Sequence, residues 1–263
     1  MAQDGTVSGY PCDGWQQRML PVLAGLAAAD TRIRDFHVHG SASGPGASTD
    51  QWSDLDVLIT AVDPVTAAED LARQIGRCLS PVFAANRSGD SRRYCVRLVL
   101  RDLRRIDVTA IAAPGDGQDR EPAERGQGQP PADAVAELIG NFRFDAVLAA
   151  VKAARGDVLI GAHLTLQLAR HVLEMAMLLR DQDAGTTHHR FGGSRWDEWA
   201  RRLTKAPAPY TPAGITGAIR FYMKMLDEIV AYWASPPHLD NVNNPLLVLL
   251  DAIEVCDRES VYR

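Results

Sequence analysis

The chain lacks the features that would assign it to a membrane, to a secreted scaffold or to a nucleic-acid coat. No apolar run reaches the roughly 20 residues that a transmembrane helix needs. The opening residues, MAQDGTVSGYP, carry acid and glycine where a secretory leader needs basic and then apolar segments. Cysteine is scarce and scattered, at Cys12, Cys78, Cys95 and Cys256, with no Cys-x-x-Cys pair and no histidine at ligand spacing. That pattern predicts reduced, mostly buried thiols. Together these absences predict a soluble cytoplasmic protein with no membrane partner. Basic residues are in deficit, 28 Lys and Arg against 33 Asp and Glu for a net charge of −5. The deficit argues against a nucleic-acid partner, though it leaves room for a local basic pocket that holds phosphates. No internal repeat of useful period is present.

What is present is ordinary globular material, 46% hydrophobic and 23% charged over 263 residues, enough for one large or two modest domains. One stretch organises the rest: HGSASGPGASTDQWSDLDVLI, from His39 to Ile59. It opens with Gly40-Ser41 directly after the apolar run Ile33 to Val38. It closes with Asp54 and Asp56 alternating with Leu55 and Val57. Side chains two apart in a strand share a face, so the two aspartates project together while their apolar neighbours enter the core. Like charges held side by side repel, and each favours its protonated form. Such a pair at a strand start fits either a solvated acidic loop or a cation site.

The order of elements supports the second reading. Three-and-four apolar spacing predicts a helix from Cys12 to Ala29, interrupted or begun at Pro21. Strand one covers Ile33 to Val38, a small polar loop Ala42 to Thr49, and strand two Asp54 to Thr60. Pro64 suits a first helical turn, and a helix follows from Val65 to Leu79. Val82 to Ala85 is a short apolar run. Tyr94 to Leu100 and Arg105 to Ala112 read as an antiparallel hairpin. In its second strand, Asp107 is an acid among apolar residues, either on a solvated outer face or at a site. Pro114 to Pro131 is rich in Gly, Pro, Gln and charge and reads as a linker. Beyond it everything reads as helical: Phe142 to about Arg180, broken by Gly156 and Gly161, then Ser194 to Leu203, Gly214 to Trp233 and Pro245 to Asp257.

Gly40-Ser41, Asp54-x-Asp56 and Asp107, on strand, turn, strand and later strand, resemble the signature of the nucleotidyltransferase superfamily. The twelve residues between Ser41 and Asp54 fall inside the spacing of that family. His39 stands where the family usually has an apolar residue. The resemblance implies an α+β fold, with a nucleotidyltransferase-type mixed sheet and flanking helices followed by a C-terminal helical bundle. Each part also has a physical reason of its own. Gly40 lets the backbone approach a ligand closely, and N–H groups beside Ser41 can cradle phosphate oxygens. Three carboxylates from adjacent strands offer hard oxygen ligands suited to Mg²⁺ or Mn²⁺. Asp54 and Asp56 would hold metal on the triphosphate. Asp107 would complete a second metal position and assist deprotonation of an incoming hydroxyl.

FRFDAVLAAVKAARGDVLIGAHL and RDQDAGTTHHRFGGSRWDEW are similar to the helical domain of antibiotic nucleotidyltransferases, which adenylylate a hydroxyl of lincosamides or aminoglycosides. That similarity implies ATP or another NTP as donor and a small hydroxylated acceptor. It assigns residues 1–113 to a catalytic domain, 114–133 to a linker and 134–263 to a helical acceptor-binding domain, with the active site in a cleft between the domains. Lys152 is the only lysine before Lys205. Similar enzymes place a helical-domain lysine on the triphosphate, and a snorkelling surface lysine is the other reading. Asp157 reads equally as an acceptor contact, an alternative base or a helix N-cap. His163 reads as a buried, hydrogen-bonded histidine or as an acceptor contact. His189 and Arg190, in a Gly/Thr-rich loop with His188, are candidate acceptor contacts. Trp196 and Trp199, three apart, read as core. Two other functions share these features: a toxin-type nucleotidyltransferase acting on RNA or protein, and a non-catalytic nucleotide-binding regulator.

Overall fold

The computed structural model describes residues 14–43, 49–114, 131–185, 193–233 and 244–261. Most of the expected linker therefore lies outside the described residues. The chain forms two compact units, Met1–Gln127 and Gly128–Arg263. It is an α+β protein, with a five-stranded mixed sheet and flanking helices followed by C-terminal helices.

Period-two alternation builds the first unit. Its strands are β1 (Ile33–His39), β2 (Leu55–Ala61), β3 (Val82–Gly89), β4 (Arg93–Leu100) and β5 (Arg105–Ala112), in the spatial order β1-β2-β5-β4-β3. β2 and β5 are parallel and the other neighbours antiparallel. On one face, Leu55, Val57, Ile59, Val96, Leu98, Ile106 and Val108 bury themselves in a core with Leu23 of α1 (Trp15–Ala28) and Leu71 and Ile75 of α2 (Pro64–Cys78). Side chains of this size each contribute about 1.5–3 kcal/mol when fully buried. Because that face is given to the core, every second residue is turned to the other face, and Asp56 and Asp107 are among them.

Local chemistry sets the element ends. Asp63 caps α2, its carboxylate accepting from the Thr66 backbone N–H at 3.1 Å, with Pro64 in the first turn. α1 runs through Pro21, which lacks the N–H for one helical hydrogen bond, so the proline neither starts nor ends the helix. The short apolar run at Val82 extends to Gly89 as an edge strand pairing with β4. Its outer half, Asn86–Gly89, is polar, which hid it from a reading based on apolar alternation.

The second unit is helical: α3 (Pro131–Ala154), α4 (Val158–Ala184), α5 (Asp197–Leu203), α6 (Pro212–Val230) and α7 (Pro245–Val261). α3 packs on α4, α6 and α7, and α4 also packs on α5 and α6. The break between α3 and α4 is at Gly156, whose φ of +72° is a left-handed turn that a side chain resists. Gly161 does not break the helix as expected. It lies inside α4, buried beside Ile215 of α6, whose side-chain tip would have to shift to admit a Cβ. Trp196 and Trp199 are core residues, as expected. Of the described cysteine side chains, Cys78 is exposed and Cys95 half-buried, so the expectation of mostly buried thiols does not hold for them. Among the described residues no helix is long and apolar enough to cross a membrane.

Candidate active site

Three carboxylates meet at the amino-terminal ends of the two parallel strands. Asp54 immediately precedes β2, Asp56 is its second residue, and Asp107 on β5 is the register partner of Asp56. One oxygen from each lies within 4.8 Å of the others. Parallel pairing brings together two residues that are far apart in sequence. The same register carries His39 beside Asp56 and Arg97 beside Asp107, so that His39, Asp56, Asp107 and Arg97 form a row across four strands.

The turn after β1 closes on this row. Gly40–Ala42 is a single 3-10 turn, and Gly40 has a φ of +69°. A Cβ on Gly40 would stand 2.2 Å from Asp56 Oδ2. The glycine therefore keeps room for the carboxylate as well as permitting the turn. Ser41 is exposed in the same turn.

The segment leading into Asp54 is pinned by residues that the sequence pattern did not single out. Gln16, fully buried on α1, donates to the Asp50 and Ser53 carbonyls, each at 3.1 Å. Ser53 Oγ donates to the Asp50 carboxylate at 2.7 Å. Arg105, buried on β5, donates to the Trp52 carbonyl and sets its guanidinium 3.7 Å from Asp54 Oδ2. Arg105 lies two residues before Asp107 on one strand, so alternation alone could have revealed that it shares the acid's face. Arg97 could have been found from the hairpin, whose four-residue connection aligns it with Asp107.

Burial first, and then the charge of Asp54, push the Asp107 carboxyl up from 3.8 to about 7, against the nearby Arg97 guanidinium. Asp56 is raised by the same two causes, with His39 opposing them. Two half-buried carboxyls, raised by burial and then by like charge, form a site whose ionised state calls for a cation. Three hard oxygen donors fit a Mg²⁺ or Mn²⁺ ion, and no soft ligand competes among them.

The remaining candidates lie in the second unit. Lys152, in the last turn of α3, pairs with Asp157 at 3.1 Å, and each is about one-third exposed. Asp157 caps α4, accepting from the Ile160 backbone N–H at 3.3 Å, and the Lys152 ammonium holds its carboxyl below the usual range. His163 is exposed, contrary to the expectation of a buried, hydrogen-bonded histidine. The buried one is His171, two turns further along α4, bonded through Nε2 to Asp145 at 2.9 Å. The helix turns His163 outward and His171 toward α3, a phase that apolar spacing alone did not set. His189 and Arg190 lie outside the described residues.

Solved structures similar to the chain include an aminoglycoside 6-adenyltransferase from Bacillus subtilis. It aligns over 91% of this chain and 98% of its own, at 12% identity and a TM-score of 0.32. A structure of the GLD-2/RNP-8 complex aligns over 92% of this chain and 73% of that chain, at 11% identity and a TM-score of 0.27. No protein-family model and no curated protein matches the chain. At this level of similarity the chemistry rests on the geometry of the site.

Arg105 offers a direct check of how the acidic segment is held. Removing one partner of a fully buried ion pair costs about 3–5 kcal/mol, but the Asp54 side chain is 38% exposed. Water screens it, and the expected loss for Arg105→Ala is about 2 kcal/mol. Denaturant unfolding measures it; an unchanged midpoint would mean that Arg105 does not hold the Trp52–Asp54 segment.

Proposed function

We propose that the protein is a Mg²⁺-dependent nucleotidyltransferase that transfers AMP from ATP to a hydroxyl of a small acceptor and releases pyrophosphate. The observation that carries this reading is the convergence of Asp54, Asp56 and Asp107 within 4.8 Å on parallel strands, closed over by the Gly40 turn. A non-catalytic nucleotide binder has no need to keep three mutually repelling acids together.

In this reading Asp54, Asp56 and Asp107 hold the divalent ion, with Mn²⁺ as an alternative to Mg²⁺. The bound ion supplies Lewis-acid stabilisation of charge on the phosphoryl oxygens. Backbone N–H groups at Gly40 and Ser41 orient the triphosphate. Asp107 accepts the acceptor's hydroxyl proton as the oxygen attacks the α-phosphorus. With the ion bound, its charge keeps Asp107 ionised and so able to take that proton. The P–O bond to the β-phosphate breaks, and pyrophosphate leaves. Residues 1–113 form the catalytic domain and 134–263 the acceptor-binding domain. Lys152 is assigned to the triphosphate, and Asp157, His163, His189 and Arg190 to the acceptor. The Lys152–Asp157 pair must open for both of its members to serve these roles.

The acceptor class we infer is an antibiotic, a lincosamide or an aminoglycoside. A pyrophosphate-release assay with ATP, Mg²⁺ and a panel of both drug classes tests it, with an RNA arm for the toxin-type alternative. Release with a drug supports the reading. Release with RNA alone replaces the acceptor class, and silence in every arm overturns the reading of the panel as substrates.

A further inference from the structure

The strand register sets beside the acids a cation that the proposed reaction does not use. Arg97 on β4 lies directly across from Asp107, its Nε 3.3 Å from Asp107 Oδ2, and its side chain is 46% exposed. Asp56 flanks Asp107 from the other side. Arg97 therefore closes the outer end of the acidic row. Its neighbour on β3 is the neutral Asn86. A guanidinium can grip a carboxylate through two parallel N–H bonds, but here one long ion pair is made. That geometry gives charge compensation with little locking.

A divalent ion and a guanidinium sharing one carboxylate repel each other. A nucleotide phosphate relieves the conflict, because a guanidinium fork takes two phosphate oxygens as readily as a carboxylate. Resting on the reading that the cluster takes a divalent ion, we propose that Arg97 is the resident counter-ion of the metal-free site. It opposes a metal entering at Asp107 until nucleotide phosphate supplies the guanidinium with another partner. The enzyme would then load metal and nucleotide together, and Arg97 would set that coupling.

The test is Mn²⁺ binding to nucleotide-free protein, followed by the electron paramagnetic resonance of free Mn²⁺ at low ionic strength and about pH 8, above the range where Asp107 takes up a proton. Wild type is compared with Arg97→Met, Arg97→Lys and Asp107→Asn. Methionine keeps most of the aliphatic stem on an exposed strand position and removes only the charge. Arg97→Met is expected to bind Mn²⁺ about fivefold tighter than wild type, from the repulsion removed at a water-screened site. Arg97→Lys is expected to stay near wild type, and the gain should shrink in about 0.5 M salt. A non-hydrolysable ATP analogue should narrow the gap between wild type and Arg97→Met.

Equal or weaker binding in Arg97→Met would overturn the proposal, because a residue that merely orients Asp107 for the metal would lower affinity when lost. Arg97→Lys binding as tightly as Arg97→Met would also overturn it. Absence of any Mn²⁺ binding that Asp107→Asn removes, in wild type and in Arg97→Met alike, would sink the metal reading itself. The two failures are thus distinguishable.

Discussion

Asp107→Asn is expected to make the metal-free protein more stable while abolishing the proposed nucleotidyl transfer. The stability half follows from linkage. The Asp107 carboxyl titrates near 3.8 when unperturbed and at about 7 in the folded protein. Between those values the folded state holds a proton that the unfolded state has released. Stability therefore falls as pH rises through this window, and above about pH 7 the full cost of an ionised Asp107 is present. Asparagine has no such slope. A shift of about three units corresponds to about 4 kcal/mol. That shift already includes the attraction of Arg97. The amide put in its place is itself buried at a polar cost, so a net gain of about 2 kcal/mol at pH 8 is expected, or about 4–8 °C in the unfolding midpoint. Thermal scans with chelator across about pH 5 to 8 should converge at the acid end and diverge at the alkaline end. Adding Mg²⁺ should stabilise wild type and leave the variant unmoved. Pyrophosphate release should fall by about a thousandfold or more, since metal-supplied charge stabilisation is worth several kcal/mol. A variant that is less stable than wild type at pH 8 would contradict the electrostatic account. One that retained turnover would remove Asp107 from the site.

The second large effect is expected at Gly40. Alanine there meets two separate penalties. Its φ of +69° is left-handed, costing a side chain about 1–2 kcal/mol. Its Cβ would also stand 2.2 Å from Asp56 Oδ2 and 3.0 Å from Asp56 Cγ, so the carboxylate or the turn must move. The second penalty falls on Asp56, a proposed metal ligand. We expect a stability loss of about 1–3 kcal/mol together with about a hundredfold loss of pyrophosphate release, since misplacement by about 1 Å can cost that much. A stabilising partner elsewhere would restore the midpoint but not the turnover. Restoration of both would show that Gly40 serves the turn and leaves Asp56 untouched.

Much of the first unit was legible because its alternation is clean. Leu55, Val57 and Ile59 against Asp56 and Leu58 dictate which side of β2 enters the core, and the rest of the strand follows from period two. The capping of α2 by Asp63 before Pro64, and the break after α3 at Gly156, are equally local. The second unit was less legible, because a helix face is set by what packs on it. His163 and His171 share one apolar-periodic helix, and only the packing of α4 decides that the second is buried. Gly161 lies within α4 beside Ile215 of α6 and breaks nothing.

The site divides in the same way. By itself the sequence determined the candidate ligands: two acids two residues apart at a strand start, a Gly-Ser turn upstream and an acid within a later strand. These patterns are short-range, and the pleat alone makes Asp56 project away from Leu55 and Val57. Only tertiary structure decided that β2 and β5 run parallel in the register that sets Asp56 against Asp107. It also decided that Gly40 touches Asp56, and that Arg97 and Arg105 stand at the edges of the acidic cluster. The contacts of Asp107 and Arg105 with the Asp54–Asp56 segment join strands separated by α2, β3 and β4, so they depend on which edges pair. The burial that raises the Asp107 carboxyl arises with them, because a carboxyl loses water only when the surrounding chain has closed around it.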